Sequence, residues 1–251
     1  MLQRRTLEER AHRPWPLPER PWLQGQSWIK LLFAHWRVPP EALARVMPPQ
    51  LSPEVRDGSG WLGITPFRVD GFRPHGLPPA PRLSTFPELN VRTYVTVNGK
   101  PGIYFFSLDA ASWGAVFGAR RVYRLPYFRA RMSMDRDGNS VRYRSERISR
   151  DGPPASFAGS YGPTGRLGDY PDGSLDRWLI ERYCLYVVDR RGRILRADIH
   201  HPPWPLQPAS ADIELNTMTE QIGIELEGEP LLHFSGRQDT IIWNEVPVGD
   251  E

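Results

Sequence analysis

Four polar side chains of different chemistry stand at every second position after Pro87. They are a carboxylic acid, an amide, a cation and a phenol: Glu88, Asn90, Arg92 and Tyr94. The residues between them are Leu, Val, Thr and Val, and successive side chains of a β-strand point to opposite faces. The segment therefore predicts a strand with one apolar and one polar face. The polar face fits either a solvated outer surface or a barrel lumen, in which buried polar groups need partners or a ligand.

Glu88 and Arg92 are too far apart along one strand to form an ion pair with each other. Four residues of extended chain span roughly 13 Å, so each group needs another partner or a substrate group. In a lumen, a glutamate can act as a general acid or base. An arginine can hold a carboxylate through two parallel hydrogen bonds.

A second unusual stretch contains His200 and His201, followed by Pro-Pro-Trp-Pro. Neighbouring histidines on a strand face opposite sides, and the chain has no H-x-x-x-H or H-E-x-x-H spacing, so we expect no metal site. One histidine is expected to face a pocket and exchange a proton with a ligand there. We name His200 for this position, although the pattern leaves the choice between the two histidines open.

The composition excludes several functional classes. The chain has 251 residues, a formal net charge of +3 and no basic block, so we expect no nucleic-acid partner. No apolar stretch reaches the length of a membrane span and the N-terminus lacks a signal-peptide core, so we expect no membrane association and a cytoplasmic location. The absence of phosphate-binding and dinucleotide-binding glycine patterns predicts that no cofactor is used.

Strand and turn signals recur along the whole chain, which has 27 prolines and 22 glycines. Asn98-Gly99 predicts a hairpin turn, and Ser174 is the expected N-cap of a short helix. Further expectations are a strand over 61–67 at a sheet edge because of Pro66, a loop over 70–86, a helix over 110–121 and a helix capped by Thr217 and Glu220. Residues 1–22 are expected to form an arm, and residues 23–251 a single domain with an antiparallel, barrel-like sheet and a few short helices.

Seven segments together resemble the YqjF-like family of uncharacterised bacterial proteins. They are His35–Pro39, Met47–Pro48, Phe86–Tyr94, Gly102–Ala110, Leu125–Tyr127, Glu181–Tyr186 and His200–Leu206. This family in turn resembles the acetoacetate decarboxylase-like superfamily. The resemblance implies a mainly β protein (α+β), with an antiparallel β-barrel, flanking sheets, a few short helices and a central polar cavity.

The resemblance also implies that the lysine-dependent Schiff-base chemistry of the superfamily is lost in this chain. Acetoacetate decarboxylase forms a Schiff base through a lysine in a Pro-Lys-Lys run, and Leu125-Pro-Tyr-Phe128 takes that place here. Tyrosine and phenylalanine form no imine with a ketone. The two lysines of the chain, Lys30 and Lys100, do not match the motif. Decarboxylation through an enamine is therefore disfavoured.

On the same resemblance, Glu88 is similar in position to the superfamily's active-site glutamate and is the expected general acid or base. Either Arg37 or Arg92 would hold a substrate carboxylate. A phenol, Tyr127 or Tyr104, would polarise a carbonyl. The expected catalytic residues are thus Glu88 and Tyr127, and the expected substrate-binding residues are Arg37, Asn90, Arg92, Tyr94, Tyr104 and His200.

Two functions fit this set of residues. For both, the expected partner is a small-molecule ligand that carries a carboxylate. The first is an enzyme of lyase or hydrolase type that acts on a small organic or keto acid without a lysine imine. The second is a non-catalytic protein that binds or senses such an acid, which the lost lysines favour. A structural or partner-binding role is the third interpretation, and assembly into a homo-oligomer is compatible with the sequence.

Overall fold

The computed structural model describes residues 2–81, 83–112, 114 and 124–249. The described strands are β1 Gln24–Val38, β2 Gly60–Pro74, β3 Phe86–Val97, β4 Lys100–Ala110, β5 Tyr127–Asp137, β6 Ser140–Arg147, β7 Ser156–Pro163, β8 Cys184–Val188, β9 Ile194–His200, β10 Leu206–Asn216, β11 Leu231–Ile242 and β12 Val246–Pro247. The helices are α1 Leu2–Arg5, α2 Pro40–Val46 and α3 Leu175–Ile180, with 3₁₀ turns at Thr6–Glu8 and Glu220–Ile222. In this described part, no helix is both long and apolar enough to cross a membrane.

The strands form one sheet that closes on itself twice. Strands β4, β3, β2, β1 and β11 lie side by side, and we call them the shared wall. Strands β8 and β9 close one side of this wall into a seven-strand barrel through the β4–β8 and β9–β11 pairings. Strands β5, β6, β7 and β10 close the other side into a nine-strand barrel through β4–β5 and β10–β11. The β4–β5 and β4–β8 pairs are parallel, whereas the other pairs are antiparallel.

Both faces of the shared wall are therefore buried. In β3, every residue from Glu88 to Val95 is buried, although polar and apolar side chains alternate there. Leu89, Val91 and Val95 pack with Tyr143 in the core of the nine-strand barrel. The even-numbered side chains Glu88, Asn90 and Arg92 point the other way, into the seven-strand barrel, because successive side chains of a strand face opposite sides.

A β-bulge in β1 changes which side chains enter the seven-strand barrel. The β1–β2 register shifts between Ile29 and Ala34, and Lys30 within this stretch has a positive φ of 51°. Before the bulge the even-numbered Trp28 lines the barrel interior, and after it the odd-numbered Leu31 does. Bulges of this kind redirect side chains without ending a strand.

The mainly β fold with barrels and short helices is confirmed. Asn98-Gly99 forms the turn between β3 and β4, and the Ser174 side chain accepts a hydrogen bond from the Arg177 backbone amide at the start of α3. The edge position of Pro66 is wrong, because β2 lies between β1 and β3. Pro66 is tolerated there because the bulge interrupts the β1–β2 ladder, where its missing N–H would otherwise be needed.

Three other expectations about elements need revision. Strand β2 continues to Pro74, so the predicted loop is shorter than 70–86. The capped helix at Thr217 does not form, because the Thr217 hydroxyl binds the Ser156 backbone amide and a 3₁₀ turn begins only at Glu220. Most of the helix predicted over 110–121 falls outside the described residues, and Ala110 itself ends β4.

Residues before β1 pack against strand β9. Arg13 and Arg20 place guanidinium nitrogens 3.9 and 3.4 Å from the buried carboxylate of Asp198. The His12 ring nitrogen Nε2 lies 2.8 Å from the carbonyl oxygen of His201. These contacts attach the N-terminal segment to the barrel, and the division into an arm and one domain stays a prediction.

Candidate active site

A cavity of about 260 Å³ lies inside the seven-strand barrel and receives side chains from all seven of its strands. Much of its wall is apolar, with Ile103, Phe105, Leu185 and Ile199 among the lining residues. The polar side chains on its wall are Gln24, Gln26, Thr65, Glu88, Asn90, Arg92, Tyr127, Arg182 and His201. Its size and mixed lining suit a small ligand rather than a drug-sized one.

Glu88 brings a carboxyl group into this largely apolar space. The residue is 5% exposed, and the Tyr127 hydroxyl lies 3.2 Å from each of its carboxyl oxygens. Burial raises the pKa of Glu88 to about 8, and the contact with Tyr127 offsets only part of this effect. Glu88 is therefore mainly protonated at neutral pH and able to donate a proton.

Arg92 lines the same cavity two pleats farther along β3. Its side chain is 6% exposed, and its Cζ atom lies 5.1 Å from the ring centre of Phe33 and 5.8 Å from that of Tyr94. The nitrogens Nε and Nη2 are buried and have no hydrogen-bond partner among the described groups. A buried guanidinium with unmatched donors is costly, so this geometry favours an anionic acceptor in the cavity.

Asn90 lies between these two residues on the cavity face of β3. Its Oδ1 atom accepts a short hydrogen bond from the hydroxyl of Thr65, which stands opposite it on β2. This bond fixes the orientation of the Asn90 amide. Glu88, Asn90 and Arg92 thus stand in a row on one wall of the cavity.

Arg182 is a cavity residue that was not among the expected site residues. It is 2% exposed and donates from Nη1 to Glu54 at 2.6 Å, while its Nη2 has no partner in the described part of the chain. Its guanidinium lies 4.5 Å from the Trp178 ring and 4.8 Å from the Tyr94 ring. The only signal for it was its place in a segment that resembles the family.

Tyr94 supports the site rather than lining it. Its hydroxyl lies 2.6 Å from Nε2 of His35, and both residues are buried. Its ring lies beneath the guanidinium groups of Arg92 and Arg182. The expectation that Tyr94 binds a ligand is therefore corrected to one of positioning these two arginines.

The choice of His200 as the cavity histidine is wrong. The Nε2 atom of His200 lies 2.6 Å from the carbonyl oxygen of Thr6, so this ring faces the N-terminal segment. His201 lines the cavity instead, with Nε2 at 3.1 Å from the Arg182 carbonyl oxygen. The reason is that the strand pleat sends the two neighbouring rings to opposite sides.

Arg37 and Tyr104 do not line the cavity either. Arg37 is exposed near the end of β1, where its guanidinium lies 4.6 Å above the Trp61 ring. Tyr104 packs edge-on against Phe106, whereas its neighbours Ile103 and Phe105 face the cavity. Both residues were predicted from their side-chain type alone. Arg37 is kept out of the cavity by its position near the end of β1, and Tyr104 is kept out because alternate residues of β4 face opposite sides.

Neither of the two lysines lines the cavity. Lys30 lies in the bulge of β1, and Lys100 begins β4 after the hairpin turn. Tyr127 occupies the cavity wall beside Glu88. The described lining offers no amine that could form an imine.

Comparison with known proteins agrees with this architecture. The chain is 43% identical over 228 residues to the uncharacterized protein YqjF of Bacillus subtilis (strain 168), which covers 90% of this chain and 93% of that protein. Among solved structures, the enduracididine biosynthesis enzyme MppR complexed with pyruvate matches with a TM-score of 0.64 at 12% identity, over 94% of each chain. Acetoacetate decarboxylase from Legionella pneumophila matches with a TM-score of 0.58 at 12% identity, over 95% of this chain and 93% of that one.

These likenesses extend over nearly the whole chain, and the structural ones show the fold alone. Residues 25–239 match the family DUF2071, which is described as an uncharacterized conserved protein. The matched range contains the shared wall almost entirely, together with every polar residue of the cavity except Gln24. The chain belongs to the DUF2071 family and has the acetoacetate decarboxylase-like fold.

Proposed function

We propose that this protein binds a small organic or oxo acid in the seven-strand barrel and acts on it by acid–base chemistry of lyase or hydrolase type. The observation that carries the proposal is the pairing of Arg92, two of whose buried nitrogens lack partners, with the protonated Glu88 in one cavity. Arg92 supplies a site for a carboxylate. Glu88 supplies a proton to an oxygen or carbon atom of the bound acid.

The carboxylate belongs at Arg92 because that guanidinium has free, preorganised donors. Arg182 already donates from two nitrogens, to the Trp178 carbonyl oxygen and to Glu54, and adds positive charge nearby. Hydrogen bonds between a guanidinium and a carboxylate are strong because both partners are charged, and they strengthen further away from water. The negative charge of the ligand's carboxylate thus compensates the positive charge of the arginine side chains that are buried in the folded protein.

Glu88 is suited to general acid catalysis near neutral pH. An acid with a pKa close to the working pH is both present in its protonated form and ready to release its proton. Tyr127 contacts both carboxyl oxygens, and this contact stabilises the carboxylate left after proton transfer. The step therefore needs no imine, in keeping with the position of both lysines outside the cavity.

A likeness of fold adds limited support. MppR has this fold and is complexed with pyruvate, a small oxo acid. We extend that ligand class to this chain as part of the proposal, because the two arginines and the protonated glutamic acid here are complementary to such a molecule.

A non-catalytic acid-binding role is the second candidate. The observation that favours it is that no lysine, cysteine or serine occurs among the described residues of the cavity wall. The protein would then lack an amine, a thiol and a serine hydroxyl as nucleophiles there and would hold the acid without converting it. The same arginines would still bind the carboxylate.

Two variants test the proposed function. In a panel of small oxo acids followed by proton NMR, Glu88→Gln should abolish turnover, because an amide cannot donate a proton to a reacting group, while calorimetric affinity should change less than about threefold. Arg92→Met should weaken binding by tenfold or more. Full activity in Glu88→Gln would contradict the catalytic role, and binding without turnover in the wild type would select the second candidate. Unchanged affinity in Arg92→Met would refute both.

A further inference from the structure

Two tryptophan indoles form a stacked pair in the cavity wall. Trp28 comes from β1 and Trp204 from the segment between β9 and β10, and both line the cavity. Their ring centroids are 5.7 Å apart and their planes differ by 14°. Trp204 is further fixed by an edge contact with Phe33 at 4.8 Å. The pair is therefore a rigid part of the wall.

The N–H groups of both indoles are buried and have no acceptor among the groups that the structure describes. Four other indoles of the chain do donate to the protein: Trp15 to Asp198, Trp36 to Gly228, Trp61 to Arg56 and Trp243 to Arg20. A buried indole N–H usually finds a partner because leaving it unmatched is costly. Among the described residues, the buried indole nitrogens without a partner are these two, and both belong to cavity residues, which points to a ligand as their partner.

The cavity as a whole has an excess of donors. Its buried atoms without partners are Nε and Nη2 of Arg92, Nη2 of Arg182 and Nε1 of Trp28 and Trp204. Every one of these atoms is a donor, and none of the acceptors on the described wall is buried and unmatched in this way. A ligand that satisfies them must carry acceptors at more than one place.

The two donor groups contact the same aromatic ring. The ring of Phe33 lies 5.1 Å from Cζ of Arg92 and 4.8 Å from the ring of Trp204. A carboxylate bound at Arg92 is therefore close enough to the indole pair for one small ligand to reach both. An acceptor at the indoles must be joined to that carboxylate through a short chain of carbon atoms.

We propose that Trp28 and Trp204 form a second hydrogen-bonding subsite and select acids that carry another oxygen acceptor several carbon atoms from the carboxylate. The ligand class is thus an oxo acid with a remote oxo group or a dicarboxylate. This inference rests on the proposed carboxylate site at Arg92 and adds the specificity for the rest of the ligand. The apolar side chains around the indoles would contact the intervening carbon chain.

A matched series of six-carbon acids tests the subsite. Binding of hexanoate and of 2-, 4- and 5-oxohexanoate is measured by titration calorimetry on the full chain. The 4- or 5-oxo acid should bind about tenfold more tightly than hexanoate, as expected for a buried donor that gains its acceptor. Trp28→Phe and Trp204→Phe, which keep an aromatic ring and remove the N–H, should reduce this preference, measured as the ratio of the affinity for the oxo acid to that for hexanoate in the same variant. Trp243→Phe, whose N–H already has a partner, serves as the control and should leave the preference unchanged.

The outcomes separate this inference from the function beneath it. If Arg92→Met weakens every acid but no oxo acid exceeds hexanoate in the wild type, the carboxylate site stands and the indole subsite is refuted. The same holds if the preference survives both Trp→Phe variants. If none of the four acids binds the wild type, the proposed function itself fails.

Discussion

The carboxyl group of Glu88 is surrounded by apolar side chains and has the Tyr127 hydroxyl beside it. Burial raises its pKa from 4.5 to about 8, so the folded protein holds this proton more tightly than the unfolded chain does. The resulting stabilisation is fully present below pH 4.5 and is lost as the pH rises through 8. Stability thus falls with pH over the range in which the folded protein keeps the proton on Glu88 and the unfolded chain does not.

The variant Glu88→Gln should remove this pH dependence, because glutamine resembles the protonated acid and does not ionise. Between pH 4.5 and 8, the wild type should lose up to about 1.4 kcal/mol of unfolding free energy per pH unit relative to the variant. Urea unfolding of both proteins at several pH values measures the difference. Parallel stability profiles across this range would show that Glu88 is not held in its protonated form.

At single positions, the sequence predicted which side chains share a strand face better than it predicted what surrounds that face. The alternation in β3 predicted that Glu88, Asn90 and Arg92 share one face, and the structure places all three on the cavity wall. It could not separate a solvated face from an enclosed one, because the shared wall has no solvated face. Nor could it choose between His200 and His201, since that choice depends on how β9 is paired with its neighbours.

Among the strands, the junction between the two barrels depends on short ladders. Strand β5 pairs with β4 only from Leu108 to Ala110, and β10 pairs with β11 only from Leu206 to Pro208. A buried ion pair reinforces the first junction, because Arg147 at the end of β6 lies 2.6 Å from Asp109 of β4. Both side chains are fully buried, so neither can exchange its partner for water.

Replacing Arg147 with methionine should leave the Asp109 carboxylate buried without its counter-charge. The expected loss is about 3–5 kcal/mol of unfolding free energy, and the double variant Arg147→Met/Asp109→Leu should lose less than the sum of the single variants. Chemical denaturation followed by circular dichroism measures both. Arg131→Met, which breaks an exposed pair with Glu146, is the matched control and should cost less than about 1 kcal/mol. Equal losses in the two single arginine variants would contradict the role given to the buried pair.

Elements that depend on local turn residues could be predicted from the sequence. Elements that depend on pairing between strands distant in sequence could not. Asn98-Gly99 and Ser174 have the structures expected of them because their signals act within a few residues. Pro66 was misplaced because its tolerance depends on a bulge in another strand. Bulges also change strand parity, so Trp28 and Leu31 both reach the cavity although their spacing is odd.

On the scale of the whole molecule, the N-terminal segment covers one side of the seven-strand barrel. Asp198 of β9 has the guanidinium groups of Arg13, Arg20 and Arg196 within 3.9 Å. Two of these three arginines precede β1. The segment thus neutralises a buried carboxylate on the strand next to His201, a residue of the cavity wall.

Deleting residues 1–21 should therefore destabilise the barrel as a whole. The deletion removes two of the three cations at Asp198 and exposes His200, so we expect a loss of about 2 kcal/mol or more and weaker ligand binding beside His201. Thermal unfolding and calorimetry measure these changes. Glu19→Ala, a change at an exposed position of the same segment, should alter stability by no more than about 0.5 kcal/mol. A deletion variant as stable as the full chain would show that the segment is dispensable.

Because the five strands between the barrels serve two interiors at once, a change of residue type affects one interior, whereas a change of length affects both. Adding or removing one residue between Glu88 and Tyr94 would send ionisable groups into the aromatic packing around Tyr143 and turn apolar side chains such as Val91 toward the cavity. Length variation among relatives should therefore fall in the connecting turns. Substitutions that face the seven-strand barrel can meanwhile change the lining of its cavity, while the side chains that face the nine-strand barrel continue to maintain the fold.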